Sequence, residues 1–211
     1  RIVVDGTNTS EQDNINIYLD NVNIKRPAGS ALQINNNVKA TVTIYLTGTN
    51  NLITSAQSSA GLQKANGAQL IIDNSSNTTG ELIAQSKFGA GIGGYSSGSS
   101  SNITISGGTV TATSTYGAGI GGGQTGTGSN ITISGGTVTA TSDSGAGIGG
   151  GQGETGSDIT ISGGTVTATS TRGAGIGGGQ GETGSDITIS GGSVNAQIDC
   201  TPHKNLNSSG K

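Results

Sequence analysis

Residues Ile103 to Asn130 read ITISGGTVTATSTYGAGIGGGQTGTGSN, a string of 28 residues. The same string then returns with few changes. ITISGGTVTATS begins at Ile103, Ile131 and Ile159, and a fourth copy from Ile187 reads ITISGGSVNAQ. The hexamer GAGIGG begins at Gly89, Gly117, Gly145 and Gly173. Every interval is 28 residues, without insertion from Gly89 to about Gln197. Inside each copy the apolar residues alternate with Thr or Gly: Ile103-Thr104-Ile105, Thr109-Val110-Thr111-Ala112-Thr113, and Ala118-Gly119-Ile120. Turn formers separate these runs, the longest being Gly121 to Asn130. Short period-2 runs bounded by Gly and Ser read as strands. Three such strands cannot bury a face alone, but stacked copies can, with Ile103 under Ile131 and Val110 under Val138. The expected fold is all-β: a parallel β-helix with three short strands per 28-residue coil and about six to seven coils.

Outward from this core the pattern degenerates but persists. Ile15 to Leu19, Val42 to Leu46 and Leu70 to Ile72 take the position of Ile103-Thr104-Ile105, and Leu32 and Leu62 match the Ile of GAGI. From Leu70 to Ile103 the interval grows to 33, which puts about five extra residues near Asn74 to Gly80. Residues 1–199 are expected to form one β-helix domain, with degenerate coils over 1–88 and regular repeats over 89–197. Residues 200–211 leave the repeat and read as a tail or C-terminal cap, and Arg1 to Asp13 as a cap at the other end. Both ends read as cut from a longer chain, or processed.

Composition excludes several classes. The chain has 211 residues, 29% of them hydrophobic and 10% charged, with 41 Gly, 2 Pro and 1 Cys. No run approaches the ~20 apolar residues of a spanning helix, so no membrane insertion is expected. Twelve acidic residues against nine Lys and Arg argue against a nucleic-acid partner. Gly, Ser, Thr and Asn are poor helix formers. Low hydrophobicity would suggest disorder, but disorder usually needs a net charge larger than the −3 found here.

GAGIGGG followed by ITISGGTVTATS resembles the repeats of secreted, right-handed parallel β-helix surface proteins of bacteria. The resemblance covers Gly89 to Gln197 closely and Ile15 to Phe88 loosely. It implies a right-handed coil, in line with the crossover rule, and an extracellular or cell-surface location. Some relatives of this fold bind carbohydrate or act as adhesins, and others are pectin-degrading lyases and hydrolases. No lyase signature is present, so no catalytic residue is carried over. The function expected is a non-catalytic module that binds a polysaccharide or cell-surface glycan, or acts as a rigid spacer. Ice binding and pectin-type lysis are the alternatives.

In a solenoid, chemistry is sought where a column departs from the repeat. The column before GAG holds Phe88, Tyr116, Ser144 and Arg172. Stacked aromatics with a cation nearby suit sugar rings and uronate carboxylates, and Tyr95 in the next loop is expected to join them. A second departure is acidic: Glu154 lies 28 residues before Glu182, and Asp158 before Asp186. Carboxylates gathered on adjacent coils offer hard oxygen ligands for Ca²⁺, the only cofactor considered, or else are solvated turn residues. The third feature is an outward threonine face made of Thr109, Thr111 and Thr113, then Thr137, Thr139 and Thr141, then Thr165, Thr167 and Thr169. It resembles the Thr-x-Thr arrays of β-solenoid antifreeze proteins, although Thr is also simply a strong β-former. Catalysis finds little material. His203 and Cys200 are single residues in the tail, and a lysine base, Lys64 or Lys87, lies two or more coils from the acids.

Overall fold

The computed structural model describes residues 1–64, 66–74 and 79–197, and the backbone of 205–207. It is a right-handed parallel β-solenoid of about seven turns without helix among the described residues. Three sheets form its walls. Sheet one stacks Ile2–Val4, Leu32–Ile34, Leu62–Lys64 and then two-residue strands such as Ile92–Gly93 and Ile120–Gly121. Sheet two stacks Asn14–Asp20, Thr41–Thr47, Gln69–Asn74, Ile103–Ile105 and the later ITI strands. Sheet three runs from Asn23–Arg26 through Thr49–Thr54, Glu81–Gln85 and the TVTATS strands to Ser193–Gln197.

The register is the one the sequence implies. Ile15, Val42, Leu70, Ile103 and Ile131 pair in succession. Leu32, Leu62, Ile92 and Ile120 do the same in sheet one. Ile103, Ile105, Val110, Ala112 and Ile120 are fully buried, as are their copies through Ile176. Alternation therefore fills a narrow core with one or two apolar residues per strand, and each coil finishes burying the one before it. The extra residues sit between Asn74 and Gly80, where Asn74 Oδ1 accepts the Gly80 N–H at 3.2 Å; residues 75–78 lie outside the described ones.

At the N-terminus Ile2–Val4 is the first strand of sheet one and pairs with Leu32–Ile34. At the other end Asn205–Asn207 pairs antiparallel with Ser193–Gln197 in sheet three. One feature differs from the sequence reading, the Gly-rich run. Ala118-Gly119-Ile120 yields a strand of only two residues, Ile120–Gly121. Gly121 then takes φ +133°, where L side chains are rare, and the chain doubles back. The Ala118 N–H donates to the Gly122 carbonyl at 2.8 Å, and the Gly126 N–H to that of Gly123 at 3.0 Å. The run from Gly122 to Gly126 is thus a flap folded over the strand, which is why Gly117 to Gly123 are all buried. Glycine is required because backbone meets backbone: a Cβ on Gly122 would lie 1.8 Å from the Gly126 carbonyl oxygen.

Candidate functional site

The flap returns to the corner that precedes GAG, and there it meets the variable column. The Gln124 N–H donates to the Phe88 carbonyl at 2.9 Å, Gln152 to Tyr116 at 3.1 Å, and Gln180 to Ser144 at 2.9 Å. Each glutamine is thereby fixed beside the corner residue of the preceding coil. Their side chains form a ladder, with Gln124 Nε2 donating to Gln152 Oε1 at 3.2 Å and Gln152 Nε2 to Gln180 Oε1 at 3.3 Å. The ladder was visible in the sequence as a column at intervals of 28, but inside a run that reads only as turn.

Beside the ladder, the Phe88 and Tyr116 rings stack with centroids 5.0 Å apart and planes inclined by 22°. Coil spacing of about 4.8 Å sets that separation. Lys87 Nζ stands 5.3 Å from the Phe88 centroid, a cation–π distance. At the other end Arg172 Nη1 donates to Ser144 Oγ at 3.5 Å, so its guanidinium leans over the small residue of the next coil down. Ser144 is buried, whereas Phe88 and Tyr116 are half-buried and Arg172 is exposed. The column thus becomes one strip: a cation, two rings, a covered serine, a second cation, and amides alongside. Such a strip offers apolar ring surface, amide donors and acceptors, and positive charge at both ends.

Tyr95 is not in this stack. It lines a separate hollow with Gln33, Gln63 and Asp5, on the outer side of sheet one. A second ring pair was missed by the sequence reading: Tyr18 and Tyr45 stack at 5.1 Å and 20° on the outside of sheet two. Both occupy the same register position, so the signal was present once the strands were aligned.

The threonine array is as regular as expected. Thr109, Thr137 and Thr165 are in register, as are Thr111, Thr139 and Thr167, and Thr113, Thr141 and Thr169. The array is bounded by Glu81, Ile83 and Gln85 on one side and by Ser193 and Asn195 on the other.

Asp158 and Asp186 continue a column begun by Asn102 and Asn130, and all four have left-handed φ between 47° and 58°. Asn and Asp are the non-glycine residues that best tolerate that conformation. The column is therefore set by backbone shape, and Asn130 Nδ2 donates to Asn102 Oδ1 at 2.6 Å along it. Glu154 and Glu182 lie on the flaps, half-buried, one coil apart. Among the described residues no three His, Cys, Asp or Glu side chains gather at one point.

Of the two candidate lysine bases, Lys87 lies against Phe88 and Lys64 points into the solenoid. Lys64 is in register with Ile34, is fully buried, and donates from Nζ to the Ser101 carbonyl. Burial lowers its pKa from 10.5 to about 8. Nearby Ser100 Oγ is buried without a hydrogen-bond partner. Cys200 and His203 lie outside the described residues.

Comparison with known families agrees with this geometry. A model described as a beta helix repeat matches residues 103–124, 131–152, 159–180 and 187–198, each match beginning at the first Ile of ITIS. No curated protein and no solved structure matches the chain. The matched segments and the three stacked sheets together make this chain a parallel β-helix repeat protein.

Proposed function

We propose that this β-helix is a non-catalytic, extracellular module of a bacterial surface protein that binds glycans along the corner strip from Lys87 to Arg172. The observation that carries the reading is the Phe88–Tyr116 stack at 5.0 Å held beside the glutamine ladder. Aromatic surface next to amides suits a polymer whose rings have apolar faces and hydroxyl edges. Arg172, with a guanidinium fork held toward the strip by Ser144, suits a uronate or other carboxylate on that polymer. A rigid rod is a good frame for such a strip, because successive coils repeat at about 4.8 Å and hold neighbouring groups in register. Retention of the protein on immobilised acidic polysaccharides tests the reading. Tyr116→Ala is expected to weaken retention about tenfold, and Arg172→Ala to remove the preference for acidic over neutral chains. Equal retention of both variants and the parent chain would overturn it.

A second reading rests on the threonine array. Three columns of three threonines, about 4.8 Å apart across coils and about 6.7 Å along strands, form an in-register lattice of methyl and hydroxyl groups. Such a lattice suits an ordered water layer, and freezing hysteresis measured against a Thr139→Lys variant separates this reading from glycan binding. Hysteresis that is absent, or that survives the substitution, rejects it.

A further inference from the structure

Sheet one has two kinds of coil. In the first three, the strands have three residues, Ile2–Val4, Leu32–Ile34 and Leu62–Lys64, and turn Val3, Gln33 and Gln63 outward; after the second strand a turn is closed by the Val38 N–H on the Asn35 carbonyl at 3.1 Å. From the fourth coil on, each strand carries its own flap. Tyr95 belongs to the first flap. The Gly98 N–H donates to the Tyr95 carbonyl at 2.7 Å, which closes a tight turn. The ring lies on Gly98, where a Cβ would stand 2.5 Å from Tyr95 Cδ1. The edge of the flap layer is therefore a step with an aromatic riser, and beneath it lies a hollow of about 380 Å³. That is within the range of small-molecule sites, ~300–1,000 Å³.

The polar groups of the hollow are partly engaged and partly open. Gln63 Oε1 accepts Ser30 Oγ at 2.7 Å, which turns its amide NH₂ toward other acceptors. Gln33 Nε2 donates to Asn35 Oδ1 at 2.8 Å, while its Oε1 takes Arg1. Asp5 Oδ1 accepts Asn37 Nδ2 at 2.6 Å and Thr7 Oγ1 at 3.4 Å, on a carboxylate that is exposed to solvent. These hydrogen bonds fix the amide and carboxylate orientations before any ligand arrives, and preorganised groups lose less on binding. The hydrogen bond from Asn37 holds the Asp5 carboxyl below its usual range.

We propose that this hollow binds one neutral sugar residue, a chain terminus or branch, with a ring face on Tyr95 and hydroxyls on the exposed Asp5 carboxylate and the Gln63 amide. The ligand class rests on the glycan reading above, whereas the site does not overlap the corner strip. The carboxylate disfavours anions, and the cation nearby, Arg1, is already held by Gln33. A single carboxylate among amides is a poor metal site. An aromatic wall facing amides and one acceptor fits a ring with a polyhydroxyl edge.

Two-dimensional NMR titration with glucose, galactose, mannose and N-acetylglucosamine, and with glucuronate as the anionic control, tests this. At least one neutral sugar is expected to give saturable shifts at the Gln63 side-chain amide and at Tyr95, with glucuronate weaker. Tyr95→Ala and Gln63→Ala are each expected to weaken binding about tenfold. Circular dichroism checks that the variants fold, and Gln63→Ala, which leaves the flap intact, keeps the test decisive if Tyr95→Ala does not. No saturable shift at either residue with any of the four neutral sugars overturns the proposal, as does unchanged binding in folded variants. The two sites fail separately. Loss of polysaccharide retention in Tyr116→Ala with no titration at Tyr95 sinks only the hollow; titration at Tyr95 with no effect of Tyr116→Ala on retention sinks only the strip.

Discussion

Lys64→Met is expected to remove a pH dependence that the native protein carries. Lys64 stands in the inward column of sheet one, in register with Ile34, and among the described residues its ammonium donates to the Ser101 carbonyl and forms no ion pair. Burial brings its pKa from 10.5 down to about 8. One pKa unit is about 1.4 kcal/mol, so the fold disfavours the charged amine by about 3 kcal/mol. The folded pKa lies below the unfolded one, and the unfolded chain therefore binds more protons between about pH 8 and pH 10.5. Stability rises with pH across that window. Below about pH 8 both states are protonated and the full penalty applies. Methionine keeps the length of the side chain and loses the charge, but leaves the Ser101 carbonyl without its donor, a loss of about 1–3 kcal/mol. The net gain at neutral pH is thus about 0–2 kcal/mol, and the pH slope disappears. Urea midpoints measured at about pH 7 and about pH 10 read both quantities. A native midpoint that stays flat over that interval, or a Lys64→Met variant that keeps the native slope, would refute the reasoning.

Gly121→Ala is expected to cost about 3 kcal/mol or more, because its Cβ would lie 2.1 Å from the Gly149 carbonyl oxygen at φ +133°. Gly153→Ala, at φ +72° with nothing within 4 Å, should cost only about 1 kcal/mol in the same thermal melts. Asn130→Ala should lose about 1–2 kcal/mol through its left-handed φ and its bond to Asn102, and Asn130→Gly should recover most of it. The acidic columns are expected to behave as solvated turn residues, with melting temperatures that coincide in calcium and in chelator. A rise with Ca²⁺ that vanishes in Glu182→Gln/Asp186→Asn would instead assign them a cation.

The register of the solenoid was legible because alternation is a local signal. Val42 and Leu70 could be placed under Ile103 although the intervals differ, since only inward positions must be apolar and a slip by one residue would turn every one of them outward. The flap was not legible for the opposite reason. Gly122 to Gly126 carry no periodicity, and their closure depends on hydrogen bonds between coils, such as that from the Gln124 N–H to the Phe88 carbonyl. Lys64 shows a conflict between two signals. Alternation in Leu62-Gln63-Lys64 points it inward, while its charge points it to water. In the structure alternation wins, and the cost is the lowered pKa.

The same contrast governs where binding surface arises. Where the repeat is most regular, each flap is backed by a similar neighbour, glycines pack backbone against backbone, and the side chains left over are the glutamine ladder and the flap acids. Exposed chemistry needs a break in that regularity. Phe88 and Tyr116 face the solvent because the corner position is not constrained by the core, and the flap from the next coil brings a glutamine beside each of them. Tyr95 becomes a wall because the flap layer begins with its own coil, beside Gln33 and Gln63 on the coils before it. The two surfaces have different origins: the ring stack comes from the residues chosen at an unconstrained corner position, and the hollow from the point near Gly89 where strands of three residues give way to GAGIGG.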